Sequence, residues 1–469
     1  MTRYRKLFPN EKLGTGMEEK GSMMNRTIKA AVGMVAIAAM SVGTLAACGG
    51  SSSSSDNGKG KVYFLNFKPE SSDEWKKLAK DYTKETGVEV KVQTAASGTY
   101  EQTLKSEIAK FEAPTLFQVN GPVGYQNWSS YTEDMSDTEP YKQLINKDVA
   151  LKDGDKVVGV PYAMETYGLI YNKDLLAKYI ATDGAKIKSV DDIDNFDTLK
   201  AVADDIQAKK DQLGVKGAFT SAGFDSSSDW RFKSLLANNP LYFEFRDDNV
   251  TEQPESIKGT YLPQFKQIFD LYITDSTCDP SQLASKTGDD ATNEFATGKA
   301  VFYQNGSWEW AKLTGTGDGQ YGLDNLSMIP FYCGVAGEEN AGLNCGTENC
   351  WAVNAKASEE DIQATLEFMN WMVTDPEASR MLVDEFAAMP YKQAAESTNG
   401  FLADANDYTT NGNYIMPWVT NFQPNVDAYR EAIVAAMNQY DNDPTDANWE
   451  QVKTAFVDGW AVQYAAANG

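Results

Sequence analysis

The chain has 469 residues, 42% hydrophobic and 12% aromatic, which supplies apolar mass for two or three globular domains. Its 42 Lys and Arg against 67 Asp and Glu give a formal charge of −25, a field that repels phosphate backbones and excludes nucleic-acid binding. It contains no histidine, which removes Ser-His-Asp and Cys-His catalysis, His-ligated metals and His-based pH switches together. The first recognisable segment, residues 26–48, has basic Arg26 and Lys29, an apolar run from Ala30 to Met40, and small residues up to Cys48. That order is a secretory signal, and the run is shorter than the ~20 residues of a membrane span.

Leu45-Ala46-Ala47-Cys48 resembles the bacterial lipobox, which implies cleavage before Cys48 and a diacylglycerol on its thiol. Residues 1–22 fit no export signal, so translation is expected to start at Met23 or Met24. The expected organisation is a signal over 1–47, then lipidated Cys48 with a Gly/Ser tether to residue 60.

Two βα units open the mature domain. Val62 to Phe67 reads as a buried strand, Ser71 with Glu74 as a capping box, and Trp75, Leu78, Ala79 and Tyr82 as the apolar face of a helix stopped by Gly87. Val88 to Val92 alternates as a strand, Tyr100 to Phe111 reads as a helix, and Thr115 to Val119 as a strand broken by Asn120-Gly121-Pro122. Strands follow at Val157–Pro161, Tyr167–Tyr171, Ala300–Gln304, up to Pro330 and near Trp351. Helices are expected near 174–180, 189–210 and 260–274, after an Asn305-Gly306 turn with Ser307 as cap, and over 358–374, 375–386 and 425–465 with a break near Pro444. Alternating strands and helices predict an α/β fold with mostly parallel sheets flanked by helices. The acidic clusters Asp191-Asp192-Ile193-Asp194 and Asp441-Asn442-Asp443 lack the glycine and terminal glutamate of a calcium loop and read as solvated helix ends.

Residues 153–161 (DGDKVVGVP) lead into 165–176 (ETYGLIYNKDLL), which resembles the interdomain crossing of family 1 extracellular solute-binding proteins, the maltose-binding-protein relatives. Phe295 to Phe302 with 305–310 (NGSWEW), Met369 to Arg380, and Met389-Pro390 with Met416-Pro417 are similar to further signatures of that family, in its order. The resemblance implies a two-lobed clamp: each lobe a sheet flanked by helices, ligand in the cleft, closure at a hinge, and docking on an ABC permease. It divides the chain into 61–163 and 329–382 for the first lobe, and 164–328 and 383–469 for the second.

Ligands of open α/β sheets bind beyond the carboxyl ends of strands. Those ends hold Phe67-Lys68 with Glu70, Gln118 to Asn120, and Asn305 to Trp308, with Glu309 next to them. A sugar offers apolar C–H faces and rings of hydroxyls, which suit aromatic faces, carboxylates and amides. Trp308, at a strand-to-helix junction that faces the cleft in the family, is the leading stacking residue. Glu165 and Tyr167 lie where the crossing passes the cleft, with hinge packing as the competing role. Glu348, Trp351, Trp230 and Trp418 complete the set, with core packing the competing role for each Trp.

Beyond Cys48 there are Cys278, Cys333, Cys345 and Cys350. An even number outside the membrane permits disulfides. Cys345 with Cys350 is the local pair, leaving Cys278 with Cys333. Other pairings and four free thiols stay open, and no Cys-x-x-Cys knuckle suggests zinc.

The expected function is a monomeric, lipid-anchored carbohydrate-binding protein of an ABC importer, outside the cytoplasm, without cofactor or catalysis. A binding protein for a cation such as a polyamine is the nearest alternative, since acidic residues and aromatic cages suit a cation. A surface glycoside hydrolase using Glu165 and Glu309 is the alternative from another class.

Overall fold

The computed structural model describes residues 58–68, 71–96, 99–315, 321–347, 349–386 and 389–468. The export signal, Cys48, most of the tether, Glu70 and Glu348 lie outside the described residues. The strands are β1 (Lys61–Asn66), β2 (Glu89–Thr94), β3 (Leu116–Asn120), β4 (Leu151–Asp153), β5 (Lys156–Pro161), β6 (Glu165–Asn172), β7 (Gly217–Phe219), β8 (Ala300–Gly306), β9 (Leu326–Ile329), β10 (Ala341–Gly346), β11 (Asn349–Val353) and β12 (Tyr414–Met416). They form two sheets, in the orders β2-β1-β3-β11-β5-β4 and β12-β10-β6-β8-β7, with β9 also paired to β6. The sheets are mixed: β11 runs antiparallel to both β3 and β5, and β6 antiparallel to β8, β9 and β10. Each sheet is covered on both faces, giving the two-lobed α/β architecture.

In the first lobe, Val62 and Phe64 on one face meet Trp75, Leu78 and Tyr82 of the helix Ser72–Thr86 and Phe368, Met369 and Met372 of Glu359–Thr374. Leu65, Phe117 and Val119 on the other face meet Tyr100, Leu104 and Trp128. In the second lobe, Leu169 and Tyr171 face a large core with the helices Phe196–Ala208, Leu262–Thr274 and Val426–Asn442, while Ile170 and Tyr303 face Phe295, Leu313 and Phe401.

The lobe boundaries differ from expectation in two places. The resemblance assigns residues 329–346 to the first lobe, yet β10 pairs with β6 through Asn344, Cys345 and Gly346, so the chain stays in the second lobe through Gly346. No local signal announces this pairing, because its partner strand lies far back in the chain. The first lobe then extends past 382: Met389 and Tyr391 sit in its core, and the Tyr391 hydroxyl donates to the Pro161 carbonyl at 2.7 Å.

Local details differ as well. Ser71 caps nothing with its side chain; its hydroxyl donates to the Lys68 carbonyl. The helix at Tyr100 ends at Glu107, short of Phe111. The helix Ala237–Asp248 carries Pro240 in its interior and escaped the sequence reading for that reason. Asp441, expected at a solvated helix end, is buried. No helix among the described residues is long and apolar enough to cross a membrane.

Candidate functional site

Which strand ends face the other lobe follows from register. β5 ends at Pro161 and β6 begins at Glu165, so both touch the interlobe boundary. β10 ends there at Gly346 and β11 begins there at Asn349. Asn120 pairs with Asn349, and β1 runs parallel to β3, which brings the ends of β3 and β1 to the same boundary. Gly306 pairs with Tyr167, and β12 runs parallel to β10, which brings Gly306 and Met416 to the boundary from the second lobe.

The first lobe presents Phe67, Lys68, Gln118 and Asn120. Asn66 is fully buried and shapes the exit of β1: its amide nitrogen donates to the Lys68 carbonyl and its amide oxygen accepts from the Lys68 N–H at 3.0 Å. The Phe67 N–H donates to Gln118 Oε1 at 2.7 Å, and the Phe67 ring meets Tyr100 edge-on at 5.3 Å. Tyr100 in turn holds the Gln118 backbone on both sides, accepting from its N–H at 2.7 Å and donating to its carbonyl at 3.0 Å. Gln118 Nε2 is buried without a partner among the described residues, a donor available to an acceptor from outside them.

At the junction, Lys68 Nζ lies 2.7 Å from Glu165 Oε1 with both side chains buried, and 6.0 Å from the centre of the Tyr162 ring. Glu165 therefore faces a lysine of the first lobe. Lys68, expected at this strand end from the sequence, meets a carboxylate of the second lobe there, a partner the sequence does not announce.

The second lobe presents an indole pair. Trp230 and Trp308, both half-buried, meet edge-on with ring centres 5.7 Å apart. Trp308 folds back over Gly306, where an added Cβ would come within 2.4 Å of its ring, so the glycine makes room for the indole. Ser307, expected as a helix cap, instead accepts from the Thr166 N–H at 3.1 Å and ties this turn to the start of β6. Arg231 backs Trp230, its guanidinium carbon 4.2 Å from the ring centre. Arg231 is itself buried, and donates to the Gln304 carbonyl at 2.9 Å, the Tyr303 hydroxyl at 3.0 Å and Ser228 Oγ at 3.0 Å. A planar fork fixed on three acceptors makes a rigid support for the ring it stacks on. Sequence reasoning passed over Arg231, although an arginine directly after a site tryptophan was its signal. Desolvation holds the Glu309 carboxyl above the ordinary carboxylate range, with Lys312, Arg231 and Asn305 opposing.

Trp418 sits beyond β12, nearly buried, 5.3 Å from Tyr167 and against Gly346. With Met164, Thr347, Asn421 and Asp148 it lines a small recess between the lobes. The lobes touch beside it: a Cβ on Gly121 of the first lobe would lie 3.5 Å from Asn421 Cβ of the second.

Two expected site residues belong to the cores instead. Trp351 is fully buried between Trp75 and Tyr162, and Tyr167 is buried between Phe331 and Trp418. Both point into a covered sheet face, where strand alternation sends them. The Cys345–Cys350 link is not formed either. Cys345 lies in β10 opposite Thr166 and Cys350 in β11 opposite Val119, so the two belong to different lobes. Among the described residues no cluster of acidic or cysteine side chains could hold a metal.

The family model of the bacterial extracellular solute-binding proteins matches residues 77–390, and the chain belongs to that family. Comparison with curated protein sequences finds no match. Among solved structures, the fold is similar to the solute-binding protein RafE in complex with raffinose, at 17% identity and TM-score 0.65, covering 87% of this chain and 100% of that one. It is similar to a chitin oligosaccharide binding protein, at 16% identity and TM-score 0.66, covering 87% and 99%. The GacH receptor of Streptomyces glaucescens, solved unliganded and with acarbose, matches at 18% identity and TM-score 0.60, covering 87% and 99%.

Proposed function

We propose that this chain is the lipid-anchored binding component of an ABC importer, working as a monomer outside the cytoplasm. It captures a carbohydrate between its lobes and delivers it to the permease by hinge closure, with no reaction of its own. The observation that carries this reading is the Trp230–Trp308 pair, held at the interlobe boundary by Gly306 and Arg231. Indoles presented beside amide and carboxylate groups suit the alternating apolar and hydroxylated faces of a sugar. The family membership and the sugar ligands named for the similar structures support the same class. The lipobox at Cys48 supports the anchor.

Titration calorimetry of Trp308→Ala against the oligosaccharide selected by a thermal-shift panel tests the reading. Ligand that binds only the folded form raises the melting temperature, so the panel finds it first. Loss of a stacked indole is worth about 1–3 kcal/mol, or roughly ten- to a hundredfold in affinity. Unchanged affinity with a large fall in melting temperature would assign Trp308 to core packing and reject it as a ligand platform.

A further inference from the structure

Phe111 is the most exposed of the large apolar side chains described, at 105% of its reference area against 64% for Ile145 and 62% for Val462. It lies between the helix Tyr100–Glu107 and β3, at the end of the sheet where β1 and β3 begin, opposite the interlobe boundary. Two contacts fix its loop to the root of the domain. The Thr115 N–H donates to the Tyr63 carbonyl at 2.9 Å, and Lys61 Nζ pairs with Glu112 Oε1 at 3.4 Å.

That root is where the anchor enters. Cys48 precedes Gly58, the first described residue, by ten residues. At no more than ~3.6 Å per residue, such a segment spans at most about 36 Å. The face carrying Phe111 is thereby confined to the vicinity of the bilayer, while most of the second lobe is free of that constraint. Beside the ring Lys61 pairs with Glu112 and Lys110 with Glu107 at 2.6 Å, Lys59 Nζ donates to the Thr86 carbonyl at 2.8 Å, and the Lys61 N–H donates to Asp361 Oδ1 at 2.8 Å. An exposed ring flanked by lysine stems matches the headgroup–acyl boundary, where apolar area is buried and ammonium groups stay wet.

We propose that Phe111 and its paired rim are the surface on which the anchored chain rests on the lipid bilayer, with the ring in the headgroup–acyl boundary. The inference rests on acylation of Cys48. A contact too weak to recruit a free protein is populated here because the anchor makes it intramolecular. Its effect is to hold the first lobe with its cleft end directed away from the lipid, toward arriving solute.

The test uses the acylated full chain in phosphatidylcholine vesicles without permease, with Phe111→p-benzoylphenylalanine as a photocrosslinker of similar shape. Val462→p-benzoylphenylalanine, in the other lobe, is the control, and Cys48→Ala removes the anchor. After irradiation, mass spectrometry should find a lipid adduct at position 111, at least fivefold more than at 462. The adduct should vanish in the Cys48→Ala chain. A chain that floats with the vesicles yet shows no excess of adduct at 111, or crosslinks there to a second copy, overturns the proposal and leaves the anchor intact. A chain that fails to float overturns both.

Discussion

Lys68 and Glu165 form a buried ion pair of 2.7 Å that joins the loop leaving the first strand to the strand entering the second lobe. Removing one partner of such a pair strands a buried charge. Glu165→Gln is expected to cost about 3 kcal/mol in urea-denaturation experiments. The double replacement Lys68→Met with Glu165→Leu should recover most of that loss, because neither charge then remains to be desolvated. A double variant as unstable as the single one would assign the effect to packing.

Gly306 lies under the Trp308 ring with backbone angles that alanine tolerates, φ −132° and ψ −175°. Gly306→Ala should therefore displace the indole without straining the strand. The expected result is a roughly tenfold weaker affinity for the carbohydrate, about 1.4 kcal/mol, with a fall of a few degrees or less in melting temperature. Near-ultraviolet circular dichroism should report the changed contact between Trp308 and Trp230.

Asp441 is buried with neither carboxyl oxygen hydrogen-bonded among the described residues, and its pKa is pushed up to about 7 by desolvation first and Asp279 second. In the unfolded chain the same group ionises near pH 4. Below that pH both states hold the proton and the group costs nothing; the cost grows from about pH 4 and is complete above pH 7. Stability should thus fall between pH 5 and pH 8. Asp441→Asn should flatten that slope and stabilise the protein by about 2 kcal/mol at pH 8, read from denaturation midpoints at the two pH values.

Burial raises the thiols of Cys345 and Cys350, to about 11 and about 12, and raises Cys333 as well. Thiols so protonated are poor nucleophiles at neutral pH. In the Cys48→Ala chain, Ellman's reagent should titrate four thiols after unfolding without reductant. Cys333, Cys345 and Cys350 should react at least a hundredfold more slowly in the native state. A count of two in the unfolded chain would mean that one disulfide exists.

The parts of the fold that were legible in the sequence are those set by local pattern. Val62 to Asn66, the spacing of Trp75, Leu78 and Tyr82, and the positive φ of Gly87 follow from strand and helix periodicity and from the stop residue. Trp308 does lie where a strand gives way to a helical turn, but Asn305 and Gly306 are not the expected turn: both are the last paired residues of β8. What stayed hidden depends on contacts distant in sequence. The pairing of β10 with β6 has no local signature, and the partners that Lys68 and Arg231 find, Glu165 and Gln304, lie far from them in the chain. Tyr167 and Trp351 show the converse: a strand near a cleft sends alternate residues inward, and one sequence does not say which phase faces the core. Ser71 and Ser307 resemble caps, yet each spends its hydroxyl elsewhere.

The position of β11 has a consequence for biogenesis. It lies between β3 and β5 in the first sheet, although the whole of β6 to β10 separates it from them in the chain. Until it arrives, β1-β2-β3 and β4-β5 are two fragments with bare edges and no shared ladder. The first lobe has no complete sheet while only the N-terminal part of the chain is present. It must wait for residues that follow most of its neighbour, so the two lobes are completed as one kinetic unit. A nascent chain halted before Asn349 would be a substrate for extracytoplasmic chaperones and proteases, rather than a finished half of the molecule.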